Sequence, residues 1–263
     1  MILIAGHYCH DVLIAPDGSS TQALGGSASY GSAILDAFGE PYEVAAKVGA
    51  DFRYFEQVSR KPLVVAGKTT SFVDDYRSGE RVERVSAVCE PLTVLPPGPF
   101  KAGLAFGVAG EVPLTILAQL RERCDLVLAD AQSLLRFVDS GDIRLRPLDP
   151  EAVQHLDYLK ASRKEAALLD VPALRRRLKL ILTDGPRGCT LLTVTSELHL
   201  PALPAVERDP TGAGDCFLAG FALGLARGYS EDRALRLASW CGARAVEHPG
   251  VPRLIDTERE EPG

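Results

Sequence analysis

The stretch "DPTGAGDCFLAGFALGLARG", Asp209 to Gly228, places two glycines, a proline and two carboxylates directly before a long apolar run. Residues 216–228 alternate large and small apolar side chains over more than three turns, the pattern of a buried helix. Its first turn falls at Ala213-Gly214-Asp215. Unpaired N–H groups and the positive end of the helix dipole make such a turn an anion site. Gly212 and Gly214 remove the β-carbons that would keep a phosphate away from the backbone. An acid in a first turn often only caps the helix. Asp215 shares its turn with a glycine nest, so it is also placed to take a proton from a hydroxyl attacking a phosphate.

Composition limits what can surround this turn. The chain has 263 residues, 46% hydrophobic and 24% charged, the profile of a globular protein. A formal net charge of −6 gives no overall attraction to nucleic acid or to an anionic membrane, so phosphate chemistry needs a local site. Arg175-Arg176-Arg177, the one basic cluster, sits between Leu174 and Leu178 and reads as a solvated helix face. The six cysteines show no C-x-x-C pair and read as reduced core thiols. "MILIAGHYCHDVLIAP" (1–16) starts as a strand without a basic leader, and no apolar run nears the ~20 residues of a membrane span. The expectation is a cytoplasmic protein.

Short apolar runs at 2–6, 42–49, 103–110, 125–130, 157–162 and 178–185 read as strands, and "PLTILAQLRER" (113–123) between two of them as an amphipathic helix. Buried strands alternating with helices predict an α/β doubly wound, mostly parallel sheet with helices on both faces. One region breaks the rhythm. "KTTSFVDDYRSGERVERVSAVCE" (68–90) alternates polar and apolar residues around "RSGE", the pattern of an antiparallel hairpin, either an edge decoration or a lid. No repeat or low-complexity segment is seen, so one domain over 1–263 is expected, with a frayed tail at 257–263.

Two nucleotide motifs are rejected. "GKTT" (67–70) would need a glycine where Pro62 stands, and no G-x-G-x-x-G follows the first strand. Asp130, Gln132 and Arg136 follow a strand end, where doubly wound sheets place ligands, although Arg136 reads equally as a surface helix residue. His7 and His10 lack a metal partner and read as core or solvated histidines.

"DPTGAGD" (209–215), "ALGGSASYGSAILDAFG" (23–39), "KVGADFRY" (47–54) and "LTDGPRGC" (182–189) together resemble the ribokinase-like (pfkB-type) carbohydrate kinases along nearly the whole chain. Within that family, "GHYCHDVL", "GVAGE", "YLKASRKEA" and "VEHPGVP" are most similar to the plant branch that phosphorylates myo-inositol.

The resemblance implies transfer of the ATP γ-phosphate to a hydroxyl of a small cyclic polyol, with Mg²⁺. Asp215 would be the proton acceptor, and Gly212, Ala213 and Gly214 the anion hole. A free aspartate, of pKa ~3.9, is a weak base, so Asp215 would mainly orient the hydroxyl and accept its proton late. Asp11, Gly25 and Gly26 would face the polyol. Asp51 reads equally as a turn cap and as a substrate contact.

Thr183, Asp184, Gly185, Pro186, Arg187 and Gly188 would form the nucleotide loop, against a plain turn as the alternative, and Ser239 would border adenine. The family's N-x-x-E pattern is replaced by Ser162 with Glu165 in register. That implies a water-mediated phosphate contact from Ser162 and a water-mediated hold on Mg²⁺ from Glu165, without a full metal cage. With the resemblance in hand, 68–90 is expected to be a lid over the polyol. Its exposed edge leaves monomer and homodimer both open.

The rival acceptors are another sugar or a nucleoside, the latter disfavoured by an aromatic content of 6%. A catalytically silent protein on the same fold would be expected to have lost residues of 212–215, and all four are present. The chain is short for the family, which implies a missing connecting helix.

Overall fold

The computed structural model describes residues 1–79 and 82–252; Arg81 of the expected hairpin and the tail at 257–263 lie outside them. An eight-stranded sheet runs, edge to edge, through Glu197–Leu200, Cys189–Leu192, Lys179–Thr183, Tyr158–Ser162, Cys124–Asp130, Phe100–Ala105, Ile2–Ala5 and Tyr42–Ala45. The last six are mutually parallel, and Cys189–Leu192 pairs antiparallel with both Lys179–Thr183 and Glu197–Leu200.

The first strand shows why both faces are covered. Ile2 and Ile4 join one buried cluster with Leu218, Phe221 and Ala238, while Leu3 and Ala5 join another with Ile116, Leu117 and Leu120. Alternate side chains point to opposite faces, so a strand with all four residues buried must carry helices on both. Helices Ser27–Ala37, Ala213–Ala226 and Glu231–Ala245 contribute to the first cluster, and Leu114–Arg123 to the second.

The small residues of 213–226 have a packing use. A β-carbon on Gly220 would stand 2.6 Å from Cys241 Sγ, and one on Gly224 2.8 Å from Ala234 Cβ. Those gaps let Ala213–Ala226 and Glu231–Ala245 pack closely. All six cysteines are free and buried. His7 is fully buried, and His10 stacks on Phe52 with ring centroids 5.8 Å apart. Among the described residues, no helix is long and apolar enough to cross a membrane.

Several boundaries differ from the sequence expectation. The run at 42–49 divides into Tyr42–Ala45 in the main sheet and Lys47–Gly49, which pairs with Leu63–Val65. The strand expected at 103–110 is Phe100–Ala105, and 107–110 is irregular. The antiparallel hairpin within 68–90 is present as Ser71–Asp75 and Val82–Ala87. It is only half of its sheet. Cys9–Ile14 pairs in parallel with Ser71–Asp75 and antiparallel with Ser20–Gly25, making four strands. Cys9–Ile14 lies beyond the strand expected at 2–6 and was not expected as a strand. A further hairpin, Arg136–Asp139 with Asp142–Leu145, touches it, Val85 N–H donating to the Gly141 carbonyl at 2.8 Å.

Candidate active site

Helix Ala213–Ala226 opens at Gly212, whose φ of 74° lies in the left-handed region. Among the described residues no side chain caps this end, so its first amides carry no side-chain partner. Anion approach is only part of the reason for glycine here. A β-carbon on Gly212 would lie 2.0 Å from the Tyr30 ring, and one on Gly214 2.4 Å from Lys160 Nζ. Both therefore make room for protein atoms from elsewhere in the chain, which sequence spacing could not reveal.

Asp215 is 8% exposed. Gln132 Nε2 reaches its Oδ1 at 3.3 Å and the Ser27 hydroxyl at 3.0 Å, joining three segments at one point. Burial, with added repulsion from Asp130, pushes the Asp215 carboxyl up to about 7 against the opposing pull of Lys160, Ser27 and Arg136. This corrects the expectation of an ordinary, weakly basic aspartate. A carboxylate titrating near neutrality is matched to proton transfer at physiological pH.

Asp130 ends its strand and caps the short helix Ala131–Leu135 through Gln132 N. Arg136 is not a surface helix residue; it starts the strand Arg136–Asp139, half-buried, and its charge reaches Asp215. Lys160 was passed over in the sequence, because its partner Asp130 is 30 residues away. Only the assembled sheet brings them together, as register partners on neighbouring strands.

The residues expected to form the nucleotide loop lie at the carboxyl end of the same sheet. Thr183, Gly185, Pro186, Gly188 and Ser239 line a cavity of about 320 Å³ together with Ala213 and Gly214. The rest of its wall includes Leu203, Phe217 and Val246. Asp184 receives two bonds from Arg187, at 2.6 and 2.7 Å, and one from Arg163 at 2.9 Å, so Arg187 braces its own loop. Ser239 Oγ is 3.5 Å from Cys189 Sγ.

Ser162 and Glu165 form a reciprocal capping box on helix Arg163–Ala166. Glu165 Oε2 accepts from the Ser162 amide and hydroxyl, each at 2.8 Å. Magnesium takes few protein ligands and keeps its waters, so one carboxylate fits the group although the described residues hold no cluster of three metal-ligating side chains.

On the other side, the Asp11 carboxylate lies over Gly25: a β-carbon there would fall 2.0 Å from its Oδ2. Gly26, with φ of 85°, precedes helix Ser27–Ala37 and packs against the His7 carbonyl and Cys9. Asp51 accepts from the Thr69 amide and hydroxyl at 2.7 and 2.8 Å, tying its turn to a segment 18 residues further along the chain. A larger groove of about 740 Å³, lined by Ser32, Asp36 and Tyr54, shares no residue with the Gly212–Asp215 turn.

An uncapped helix start beside a buried acid suits binding of an anion next to a proton acceptor. The family model for pfkB family carbohydrate kinases matches residues 108–258, and the chain belongs to that family. It is 35% identical to inositol 3-kinase of Arabidopsis thaliana over 96% of this chain and 76% of that protein. It is 40% identical to inositol 3-kinase of Oryza sativa subsp. japonica over 95% and 69%. The sulfate complex of a pyrophosphate-dependent kinase in the ribokinase family superposes with a TM-score of 0.83 at 20% identity, covering 99% of this chain and 100% of that one.

Proposed function

We propose that this protein transfers the γ-phosphoryl group of ATP to a hydroxyl of myo-inositol, giving inositol 3-phosphate and ADP. The observation that carries the reading is the position of Asp215. It lies in the turn that borders the Thr183–Gly188 cavity, buried and held up to about 7. Similarity to two inositol 3-kinases over most of the chain supports the acceptor.

In the reaction, the acceptor oxygen forms a bond to phosphorus as the bond to ADP breaks, and its proton passes to Asp215. The amides opening helix Ala213–Ala226 face the phosphoryl oxygens, where fixed dipoles stabilise charge without reorganising. Asp11, over Gly25, offers one carboxylate to two neighbouring hydroxyls. Glu165 would hold Mg²⁺ through water, and the ion, when bound, neutralises charge on the donor phosphates. Leu203, Phe217, Val246 and Pro186 give the cavity apolar walls suited to a base. Pyrophosphate, which has no base, would leave those walls without a partner.

The test is a product-release assay crossing ATP and pyrophosphate with a panel of inositols, pentoses, hexoses and adenosine. The expected optimum is ATP with myo-inositol, and the product's regiochemistry is read by NMR. A clear preference for ribose or adenosine would overturn the acceptor, and turnover with pyrophosphate alone would overturn the donor.

A further inference from the structure

Two neighbouring strands meet directly behind the turn. Asp130 closes Cys124–Asp130, and Lys160 stands opposite it in Tyr158–Ser162. Their side chains form an ion pair of 2.7 Å, with Lys160 6% and Asp130 1% exposed. Such a pair is a poor device for stability alone, because desolvating two charges offsets most of their attraction and apolar residues of similar volume often serve as well.

Its surroundings give it another use. A β-carbon on Gly214 would be 2.4 Å from Lys160 Nζ and 3.9 Å from Asp130 Oδ2, so the ammonium lies against the backbone of the helix's first turn. Asp130 also anchors Gln132, whose side chain reaches Asp215. A cation at this point adds to the positive end of the helix dipole on the side away from solvent, where low dielectric strengthens its field.

We propose that Lys160 is a positioning residue for phosphoryl transfer: held by Asp130 against Gly214, its ammonium fixes the Gly212–Asp215 turn and supplies positive charge behind the amides that receive the phosphoryl group. This rests on the reading of the turn as the phosphoryl site. Lys160 also acts on Asp215. The charged and titratable groups around that carboxylate are Asp130 and Lys160 from the two strands, Arg136 from the strand Arg136–Asp139 between them in the chain, Tyr30 from the first helix, Cys9 from the small sheet and Cys216 beside it. Glu165 adds its charge at Lys160. Asp130 disfavours the ionised Asp215 and Lys160 favours it. Burial would push Lys160 down, but Asp130 outweighs this and holds it up, so the cation persists at neutral pH.

The experiment uses the full chain with ATP and myo-inositol, or with pyrophosphate if the donor panel selects it. It compares Lys160→Met, Lys160→Arg, Asp130→Asn and the double variant Asp130→Asn/Lys160→Met. Loss of the cation should lower kcat by about 100-fold, the scale set by removing a preorganised charge-stabilising group, with acceptor KM little changed. Lys160→Arg should recover part of the rate.

The acidic limb of kcat/KM should move to higher pH in Lys160→Met and to lower pH in Asp130→Asn. If Lys160→Met fails to fold, the double variant decides, because it leaves no lone buried charge. That variant should fold and remain as slow as expected for Lys160→Met. Wild-type kcat in the folded double variant, or acidic limbs that stay in place, would overturn the proposal. A wild-type protein inactive with every donor and acceptor would instead overturn the underlying reading of the turn.

Discussion

Replacing Asp215 by asparagine should slow the enzyme and stabilise it, and the second effect should depend on pH. Lys160 already compensates Asp130, so ionising Asp215 adds a second negative charge to a buried site, which the weaker pull of Arg136 only partly offsets. The folded protein therefore retains the Asp215 proton from its ordinary value of 3.8 up to about 7. An unfolded chain releases that proton near 4. Between those values the folded state binds more protons than the unfolded state, so stability falls as pH rises. Below the window nothing is lost, and above it the loss is complete.

Integrating over the window gives a penalty of roughly 1 to 2 kcal/mol at pH 5 and about 4 kcal/mol at pH 8. The Asp215→Asn variant, with no proton to lose there, would carry none of it. Its advantage over wild type should thus widen by roughly 2 to 3 kcal/mol between pH 5 and pH 8, or about 4 to 5 °C in Tm for a chain of this size. Thermal unfolding of both proteins at the two pH values measures this widening directly, without reference to the constant effect of the amide. In the same preparations kcat should fall by about 100-fold or more, the scale of a lost proton acceptor. An equal Tm difference at both pH values would refute the argument that Asp215 is held protonated by its surroundings.

Gly25→Ala would drive a β-carbon into the Asp11 carboxylate, so acceptor KM should rise by about tenfold or more, the cost of a hydrogen bond to a charged group, while donor KM stays put. An unchanged acceptor KM would remove Asp11 from the acceptor site. Ser162→Ala breaks the capping box and should cost about 1 kcal/mol in denaturant unfolding. It should also raise donor KM by releasing Glu165; a stability change with donor KM intact would leave Ser162 as a cap alone.

The doubly wound sheet was legible because its buried strands are apolar along their whole length and end in turn residues. Leu114–Arg123 was legible for the complementary reason, a single apolar stripe at helical spacing. The Gly212–Asp215 turn was legible because glycine, proline and acid are concentrated where an apolar helix starts. The small sheet was only half visible. Cys9–Ile14 pairs with Ser71–Asp75 more than 50 residues away as well as with Ser20–Gly25, and the distant partner leaves no mark on the run 9–14 itself.

The Lys160–Asp130 pair and the contact of Tyr30 with Gly212 were hidden for one physical reason. Each depends on where distant strands and helices are laid side by side, which no local spacing encodes. Asp215's raised carboxyl was hidden with them, since burial and the charge of Asp130 are properties of the assembled site.

The packing of Tyr30 against Gly212 also bears on how the chain can be divided. The stretch 108–258 contains Asp130, Lys160 and the whole 209–215 motif, so a fragment cut to those limits would carry most of the residues assigned to phosphoryl transfer. It would lack the ring against which the left-handed Gly212 is shaped, and the Ser27 hydroxyl that shares Gln132 with Asp215. The first forty residues act as a mould for a turn encoded far downstream, and a piece made without them inherits the letters of the motif but not its shape.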